Sequence, residues 1–334
     1  MTLGEVWLLI VENSEFYLMP FILLANALLL YCIVCKSPKK FGNYRRYMAF
    51  FSYQSILFSV VSFVVGINYF ACRHSVAAFS TRNPLNLPHI AMKYLLCFSA
   101  SSACMLFWSL AVQYLYRLFA MTGSKLLKFF EKTWFAFWFI MIHLVAYSYG
   151  LNVYFFGPYL EAPREDGFVT ELRGVFGINE TTELSFVRLV LYNENANGEW
   201  RVDFAMLGYA YMVLMTMIPF FIIIYSGVKL YHSEKNGKLE KDVKLQKILF
   251  HALLIQTVIP TVLLFIPISA FFFLPLFRQD LGVISDIGGI TFMLYPLADP
   301  LAMVYVIKPY WEAIRSEVYL SETSCSDTAM YKAQ

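Results

Sequence analysis

Charged residues are scarce in this chain of 334 residues. Asp, Glu, Lys and Arg make up 15% of it, whereas hydrophobic residues make up 59% and aromatic residues 18%. A globular protein in water is about a quarter charged, because polar groups must cover its apolar core. The composition therefore argues against a soluble enzyme and favours a membrane protein. The formal net charge of +3 is too small to indicate a nucleic-acid partner.

Long stretches of the chain lack charge altogether. Seven windows have the length of about 20 mostly apolar residues that a membrane-crossing helix needs. They contain only two of the chain's 26 basic and 23 acidic side chains, Asp286 and Asp299. The windows are 16–35, 47–67, 94–116, 133–151, 204–228, 248–273 and 283–307. Buried helices of a large soluble protein are the alternative, and a β-barrel is excluded because its strands alternate in segments of about ten residues.

These windows predict an all-α fold, a seven-transmembrane helix bundle over residues 1–315 embedded in a lipid bilayer. No Lys or Arg precedes Lys36, and most of the basic residues fall in the segments that would then be cytoplasmic. The positive-inside rule therefore places the N-terminus outside the cell. The polar tail 316–334, rich in Ser and Thr, is expected to be disordered in the cytoplasm.

The second outer loop, 152–203, has structural content of its own. A strand-like run at 186–192 is followed by an Asn-Gly pair at 197–198 and a second short run at 199–202. This order predicts a small β-hairpin over the outer mouth of the bundle, with a loose solvated loop as the alternative. Asn179 begins an Asn-Glu-Thr sequence, which is an N-glycosylation acceptor on the predicted outer side.

The sequence lacks the residues that an outer disulfide, a metal site, a retinal Schiff base or a catalytic centre would need. None of the six cysteines lies in 152–203, so a disulfide between the third helix and that loop cannot form. The five histidines have no metal-ligand spacing, and no Lys lies in 283–307 to hold a retinal Schiff base. No phosphate loop and no nucleophile elbow is present. We therefore expect no enzyme activity, no cofactor and no metal.

The polar residues inside the windows are the main functional indication. An ionisable group there costs about 2.5–3.5 kcal/mol and usually has a task. Asp299 lies between Pro296 and Pro300, which weaken the seventh helix locally. Asn26 of the first helix is a candidate partner for Asp299, and a plain proline kink is the alternative. Arg117, at the inner end of the third helix, is expected to face the cytoplasm; alone, it could be one more positive-inside residue.

Four blocks, read in chain order, resemble those of a known family. They are 42–52, 116–120, 245–261 and 295–301, and the last reads Tyr-Pro-Leu-Ala-Asp-Pro-Leu. The chain resembles the nematode seven-transmembrane chemoreceptors of the Str superfamily, with the Str class and class r nearest. The resemblance implies a G-protein-coupled receptor in the plasma membrane, with the cilium of a sensory neuron as one location. Tyr116-Arg117 departs from the acidic-Arg pair of rhodopsin-like receptors, and Asp299-Pro300 from their Asn-Pro.

The resulting hypothesis is a chemosensory receptor for a small external molecule of odorant or pheromone type that activates a heterotrimeric G protein. Candidate ligand-binding residues are Phe98, Ser101, Ser102, Tyr209, Tyr211 and Ser269. Candidate switch and coupling residues are Tyr116, Arg117, Tyr295, Pro296, Asp299 and Pro300. The small residues at 99–104 are equally typical of close helix packing. At most one of the two candidate tyrosines faces a pocket, because they are two apart on a helix.

Two other functions are the alternatives. A transporter or channel would need ionisable groups along a path at mid-membrane, and the windows contain none there. A neuropeptide receptor is expected to have charged residues in its outer pocket and an outer disulfide, but such charge is scarce in this sequence and the disulfide is missing.

Overall fold

A computed structural model of the chain describes residues 2–37, 43–72, 74–131, 134–157, 167–194, 200–235 and 257–316. Within these ranges, seven helices are long and apolar enough to cross a membrane. In chain order the helices are α1 (Leu3–Tyr31, continued by a π-helical turn at Cys32–Lys36), α2 (Tyr44–Val65), α3 (His89–Met121), α4 (Trp134–Phe156), the short α5 (Phe168–Phe176), α6 (Ala205–Lys235), α7 (Thr257–Leu276), α8 (Ile287–Val306, preceded by a 3-10 turn at Gly282–Asp286) and a last helix, α9, at 308–316. The predicted seven-helix bundle is confirmed. Residues 248–256 of the sixth window and the tail 317–334 lie outside the described residues.

The first helix begins at Leu3 rather than at residue 16. Thr2 and Glu5 form a capping box, in which Thr2 Oγ1 accepts from the Glu5 amide at 3.2 Å and the Glu5 carboxylate accepts from the Thr2 amide at 2.8 Å. The acidic residues of the extension have partners in the loop before α3. Arg82 pairs with the buried Glu15 and lies 3.7 Å from Glu12 Oε1. The extension packs against protein, so its charges do not prevent helix formation.

Most of the bundle packs around α3. Its side chains are buried along most of its length, and it contacts α2, α4 and α6. Small residues bring α3 and α4 together, because any side chain at Gly150 would collide with Ser101 Oγ. Ser101 therefore serves close helix packing, which was the alternative to a ligand-binding role for the small residues at 99–104.

A three-stranded antiparallel sheet that was not predicted lies across one end of the bundle. Its strands are β1 (Asn68–Cys72), β2 (Ser75–Ser80) and β3 (Ser185–Val190), in the order β1-β2-β3. β1 and β2 come from the loop between α2 and α3. Their register pairs Tyr69 with Ala78, and Ala78 pairs in turn with Val187. Two distant loops thus join in one sheet.

The predicted hairpin of the second outer loop is present but shorter than expected. The run at 186–192 divides, because 185–190 joins the sheet as β3 and only Tyr192–Glu194, β4, pairs with Trp200–Val202, β5. Tyr192 is opposite Val202. The Asn-Gly turn itself lies outside the described residues.

The two faces of the three-stranded sheet have different partners, as the alternation of strand side chains requires. Phe70 and Phe79 point away from the bundle and pack against Phe168 and Phe176 of α5. Tyr69, Ala78 and the residues beside them face the bundle. The sheet, α5 and the start of α1 therefore form a cap with its own small apolar core.

Candidate functional site

A cavity lies between the cap and the helices. Its volume is about 80 Å³. Its roof consists of Ile67, Tyr69, Val76, Ala77, Ala78, Val187 and Leu189, and its α3 wall of Leu96, Ser99, Ala100, Ala103 and Phe107. The α3 positions recur every three or four residues, so they lie on one face of that helix.

The cavity wall is aromatic and uncharged. Six rings line it: Tyr69, Phe107, Tyr149, Phe271, Phe272 and Phe292. Among the described residues of the lining, none carries a charged side chain. The side-chain hydroxyls are those of Tyr69, Tyr149, Ser99 and Ser285. Such a wall suits a small molecule that is uncharged and weakly polar.

Tyr69 links the cavity to the start of α8. Its amide donates to Asp286 Oδ1 at 2.7 Å, and its carbonyl accepts from Ser285 Oγ at 3.0 Å. Its ring packs edge-to-face with Phe271 and Phe292, with 5.6 Å between centroids in each pair. Burial raises the pKa of the Tyr69 phenol well above its ordinary value, and the nearby Asp286 carboxylate raises it further. The phenol is therefore uncharged at neutral pH.

Asp286 joins three parts of the chain. It is fully buried, and its Oδ2 accepts from Trp7 Nε1 of α1 at 3.2 Å while its Oδ1 holds the Tyr69 amide. Sequence reasoning did not place Asp286 at the site. The available signal was its presence as one of only two charged side chains in the seven windows.

The six predicted ligand-binding residues lie outside the lining of this cavity. Ser101 and Ser102 bond within α3, to the carbonyls of Cys97 and Ser99. The Tyr209 hydroxyl donates to the Phe272 carbonyl, behind a ring that does line the cavity.

The remaining three are also placed away from it. The Tyr211 hydroxyl is 2.6 Å from Ser148 Oγ of α4, whereas Phe98 and Ser269 are half-buried. Ser99 and Ala100, which directly precede the predicted Ser101 and Ser102, line the cavity instead. Each step along a helix turns the side chain by about 100°, so an error of one or two positions selects a different face.

Arg117 at the inner end of α3 is buried rather than open to the cytoplasm. It is 4% exposed, and its guanidinium carbon is 4.2 Å from the centroid of the Tyr44 ring. Tyr116 of α3 also packs against two tyrosines of α2. Its ring is stacked on Tyr44, with 5.9 Å between centroids, and tilted against Tyr47, with 5.1 Å between centroids. The expectation of an exposed Arg117 was wrong, because α2 covers it with an aromatic face that attracts a cation.

Asn26 contacts the proline segment of α8, but its partner there is the Pro296 carbonyl rather than the predicted Asp299 side chain. Its Nδ2 donates to the Pro296 carbonyl at 2.8 Å, and its Oδ1 accepts from Ser52 Oγ at 3.3 Å. Pro300 has no amide hydrogen, so the carbonyl four residues earlier lacks its helical donor. Asn26 supplies that donor.

Asp299 and Tyr295 lie in the same buried segment of α8. Both are fully buried, and the Asp299 charge interacts with Arg117. The Tyr295 ring packs edge-to-face against Phe51 of α2, with centroids 6.4 Å apart. Of the six predicted switch residues, the structure thus brings Arg117 of α3 close to Asp299 of α8, whereas Tyr116 contacts the tyrosines of α2.

Seven membrane-length helices, with a capped cavity towards one end and a buried polar cluster towards the other, define a seven-helix membrane receptor. The family model described as "Serpentine type 7TM GPCR chemoreceptor Str" matches residues 12–315. The chain therefore belongs to the Str family of serpentine chemoreceptors, which are G-protein-coupled receptors of the membrane.

Individual relatives agree with this assignment. "Serpentine receptor class r-10" of Caenorhabditis briggsae is 25% identical over 325 residues, covering 93% of this chain and 91% of the relative. "G-protein coupled receptor str-33" of Caenorhabditis elegans is 24% identical and covers 90% and 88%. Squid rhodopsin is similar with a TM-score of 0.59, covering 97% and 89% at 12% identity, which shows the fold alone. The family and the fold are those of receptors rather than of enzymes.

Proposed function

We propose that this receptor is chemosensory, binds a small uncharged external molecule in the cavity under the cap and activates a heterotrimeric G protein. The observation that carries the proposal is the cavity wall of six aromatic rings with few hydroxyls and no charged side chain among its described residues. The volume limits the ligand to a few non-hydrogen atoms unless the wall moves. We place the receptor in the plasma membrane, with the sensory cilium as one location.

The cavity favours this function over the two alternatives. An ion-coupled transporter or channel needs ionisable groups along its path, and the described lining has none. A peptide would need a larger and more polar site than about 80 Å³ of aromatic space provides.

A cell-based screen tests the proposal. Cells that express the receptor and a calcium reporter are exposed to small alcohols, ketones, aldehydes and esters, with the carboxylic acid of each carbon number and a peptide panel as comparators. We expect responses to uncharged compounds only, and their loss when G-protein signalling is blocked. A response that persists without G proteins would favour a transporter or channel.

A variant that fills the cavity connects the response to the site. Ala103→Phe adds a ring to the cavity wall, and overpacking of about 1–3 kcal/mol corresponds to a roughly 5- to 150-fold loss of affinity. Ala136→Phe makes the same change on an exposed position of α4 and is the matched control. Equal dose–response curves for the two variants, at equal surface expression, would remove the cavity from the proposal.

A further inference from the structure

The sheet of the cap has an edge that the start of α8 closes. Within the described ranges β1 is an edge strand, so no strand pairs there with the amide and carbonyl groups on its outer side. Consecutive side chains of the 3-10 turn before α8 take that place at Tyr69. Ser285 Oγ donates to its carbonyl at 3.0 Å, and Asp286 Oδ1 accepts from its amide at 2.7 Å. We call this pair of contacts the Tyr69 clamp.

The clamp fixes the main chain of a residue whose side chain lines the cavity. The Tyr69 ring lies between Phe271 of α7 and Phe292 of α8, edge-to-face with both, at interplanar angles of 73° and 80°. Close-packed interiors leave little free space. A molecule that presses on this ring must therefore move one of the two neighbouring rings or strain the clamp.

Gly289 lies close to the clamp, whereas a Cβ at Gly288 would make only ordinary contact with the Tyr69 ring. A Cβ at Gly289 would lie 3.0 Å from Asp286 Oδ1, and one at Gly288 would lie 3.9 Å from the Tyr69 ring. Adjacent glycines in the first turn also lower the helical stability of that turn. The part of α8 that contacts Tyr69 is thus close to the cavity and comparatively easy to rearrange.

The clamp has a further support outside the cavity. Trp7 Nε1 donates to Asp286 Oδ2 at 3.2 Å, so the outer extension of α1 holds the same carboxylate. The polar contacts of Tyr69 thus lead from the cap to α8 and α1, whereas its ring faces the cavity.

We propose that Tyr69 is a ligand-contacting residue that couples occupancy of the cavity to α8, and that Ser285 and Asp286 are the positioning residues that make this coupling possible. The identity of the molecule rests on the proposed function, but the coupling does not. Filling the cavity by any means displaces the Tyr69 ring, weakens the clamp and loosens the start of α8.

The test fills the cavity chemically, without a natural ligand. Full-length receptor with Ala100→Cys is reconstituted in lipid nanodiscs and treated with methyl methanethiosulfonate. The thiolate displaces methanesulfinate and retains a methylthio group, which intact mass verifies. Deuterium exchange is then measured on peptides covering 282–292. We expect modification to increase exchange there about two- to tenfold, the factor that corresponds to losing one hydrogen bond.

Three variants in the Ala100→Cys background separate the coupling from a general loosening. Tyr69→Ala removes the ring, and Ser285→Ala with Asp286→Asn weakens the clamp; in both, modification should leave exchange at 282–292 unchanged. Ser109→Ala is the matched control, because among the described residues its hydroxyl bonds only to the Met105 carbonyl within α3. That variant should respond as the Ala100→Cys parent does. Receptor without Ala100→Cys, treated in parallel, accounts for native cysteines.

Two results would overturn the coupling. One is complete modification of Ala100→Cys with no change at 282–292. The other is an equal change in the Tyr69→Ala variant. Ser285→Ala alone gives the same comparison if the double variant does not fold. Neither readout involves a G protein or an odorant, so a failed coupling leaves the calcium screen, and with it the proposed function, to be decided separately.

Discussion

Replacing Asn26 by Ala should destabilise the bundle by removing the donor that serves a proline-freed carbonyl. The Asn26 side chain is buried, and its Nδ2 lies 2.8 Å from the Pro296 carbonyl. Ser52 Oγ loses its bond to Asn26 Oδ1 at 3.3 Å in the same change and keeps the Asn26 main-chain carbonyl at 3.5 Å. Ser52 and Pro296 are buried as well, so bulk solvent does not reach either bond.

The expected cost follows from these two contacts. A buried polar group left without a partner costs about 1–3 kcal/mol. Polar contacts between membrane helices measure lower, at about 0.6 kcal/mol on average and about 1.7 at most. We therefore expect Asn26→Ala to lower the free energy of unfolding by about 1–2 kcal/mol.

Unfolding in mixed detergent micelles measures the loss, and two comparisons identify its cause. Asn13→Ala is the matched control, because in the described part of the chain Asn13 Nδ2 bonds only to the Leu9 carbonyl, on an exposed face of the same helix. That change should stay within about 0.5 kcal/mol of the parent. Pro300→Ala restores the missing amide, so Asn26→Ala should cost less in that background, and the double-mutant cycle gives the coupling.

Asn26→Ala must cost more free energy of unfolding than Asn13→Ala, and its cost must depend on Pro300. Equal losses for Asn26→Ala and Asn13→Ala, or a coupling of zero between Asn26 and Pro300, would contradict the carbonyl-donor reasoning. Asn26 would then be an ordinary packing residue of α1.

The remaining predictions concern the switch and the topology. Arg117→Ala and Asp299→Ala should each alter basal activity or folding, because each removes one of two buried charges that interact. Normal dose–response curves for both variants, at matched surface levels, would leave these residues to packing. Asn179→Gln should increase gel mobility if the exposed acceptor is glycosylated, and an unchanged band with normal surface expression would contradict this. An epitope tag before Thr2 should stain intact cells, whereas staining only after permeabilisation would reverse the topology.

The seven spans could be predicted from the sequence because exclusion of charge is a local property. Each window is almost free of charged residues whatever its neighbours contain, because each helix crosses the same apolar medium. The early start of α1 was also readable, because Thr2 and Glu5 have the spacing of a capping box. The predicted start at residue 16 was wrong because the extension contains acidic residues. Arg82, the partner of Glu12 and Glu15, is distant in the chain, so the sequence did not reveal the pairing.

The tertiary structure decided which residues form the candidate site. The sequence indicates that the third helix is small and polar at 99–104, but the rotation of α3 against its neighbours selects Ser99 and Ala100 over Ser101 and Ser102. That rotation depends on contacts such as Gly150 against Ser101, which join separate helices. No pattern within a single segment contains this information.

The cap shows the same division between local pattern and long-range pairing. An Asn-Gly signal predicted one hairpin, yet β3 pairs with a strand more than a hundred residues earlier. Asp286 and Asn26 stood out as polar residues in apolar windows, and the sequence alone determined that each needs a partner. Their partners, the Tyr69 amide and the Pro296 carbonyl, are main-chain groups on other elements. Every residue has such groups, so only the folded chain specifies which of them a buried side chain meets.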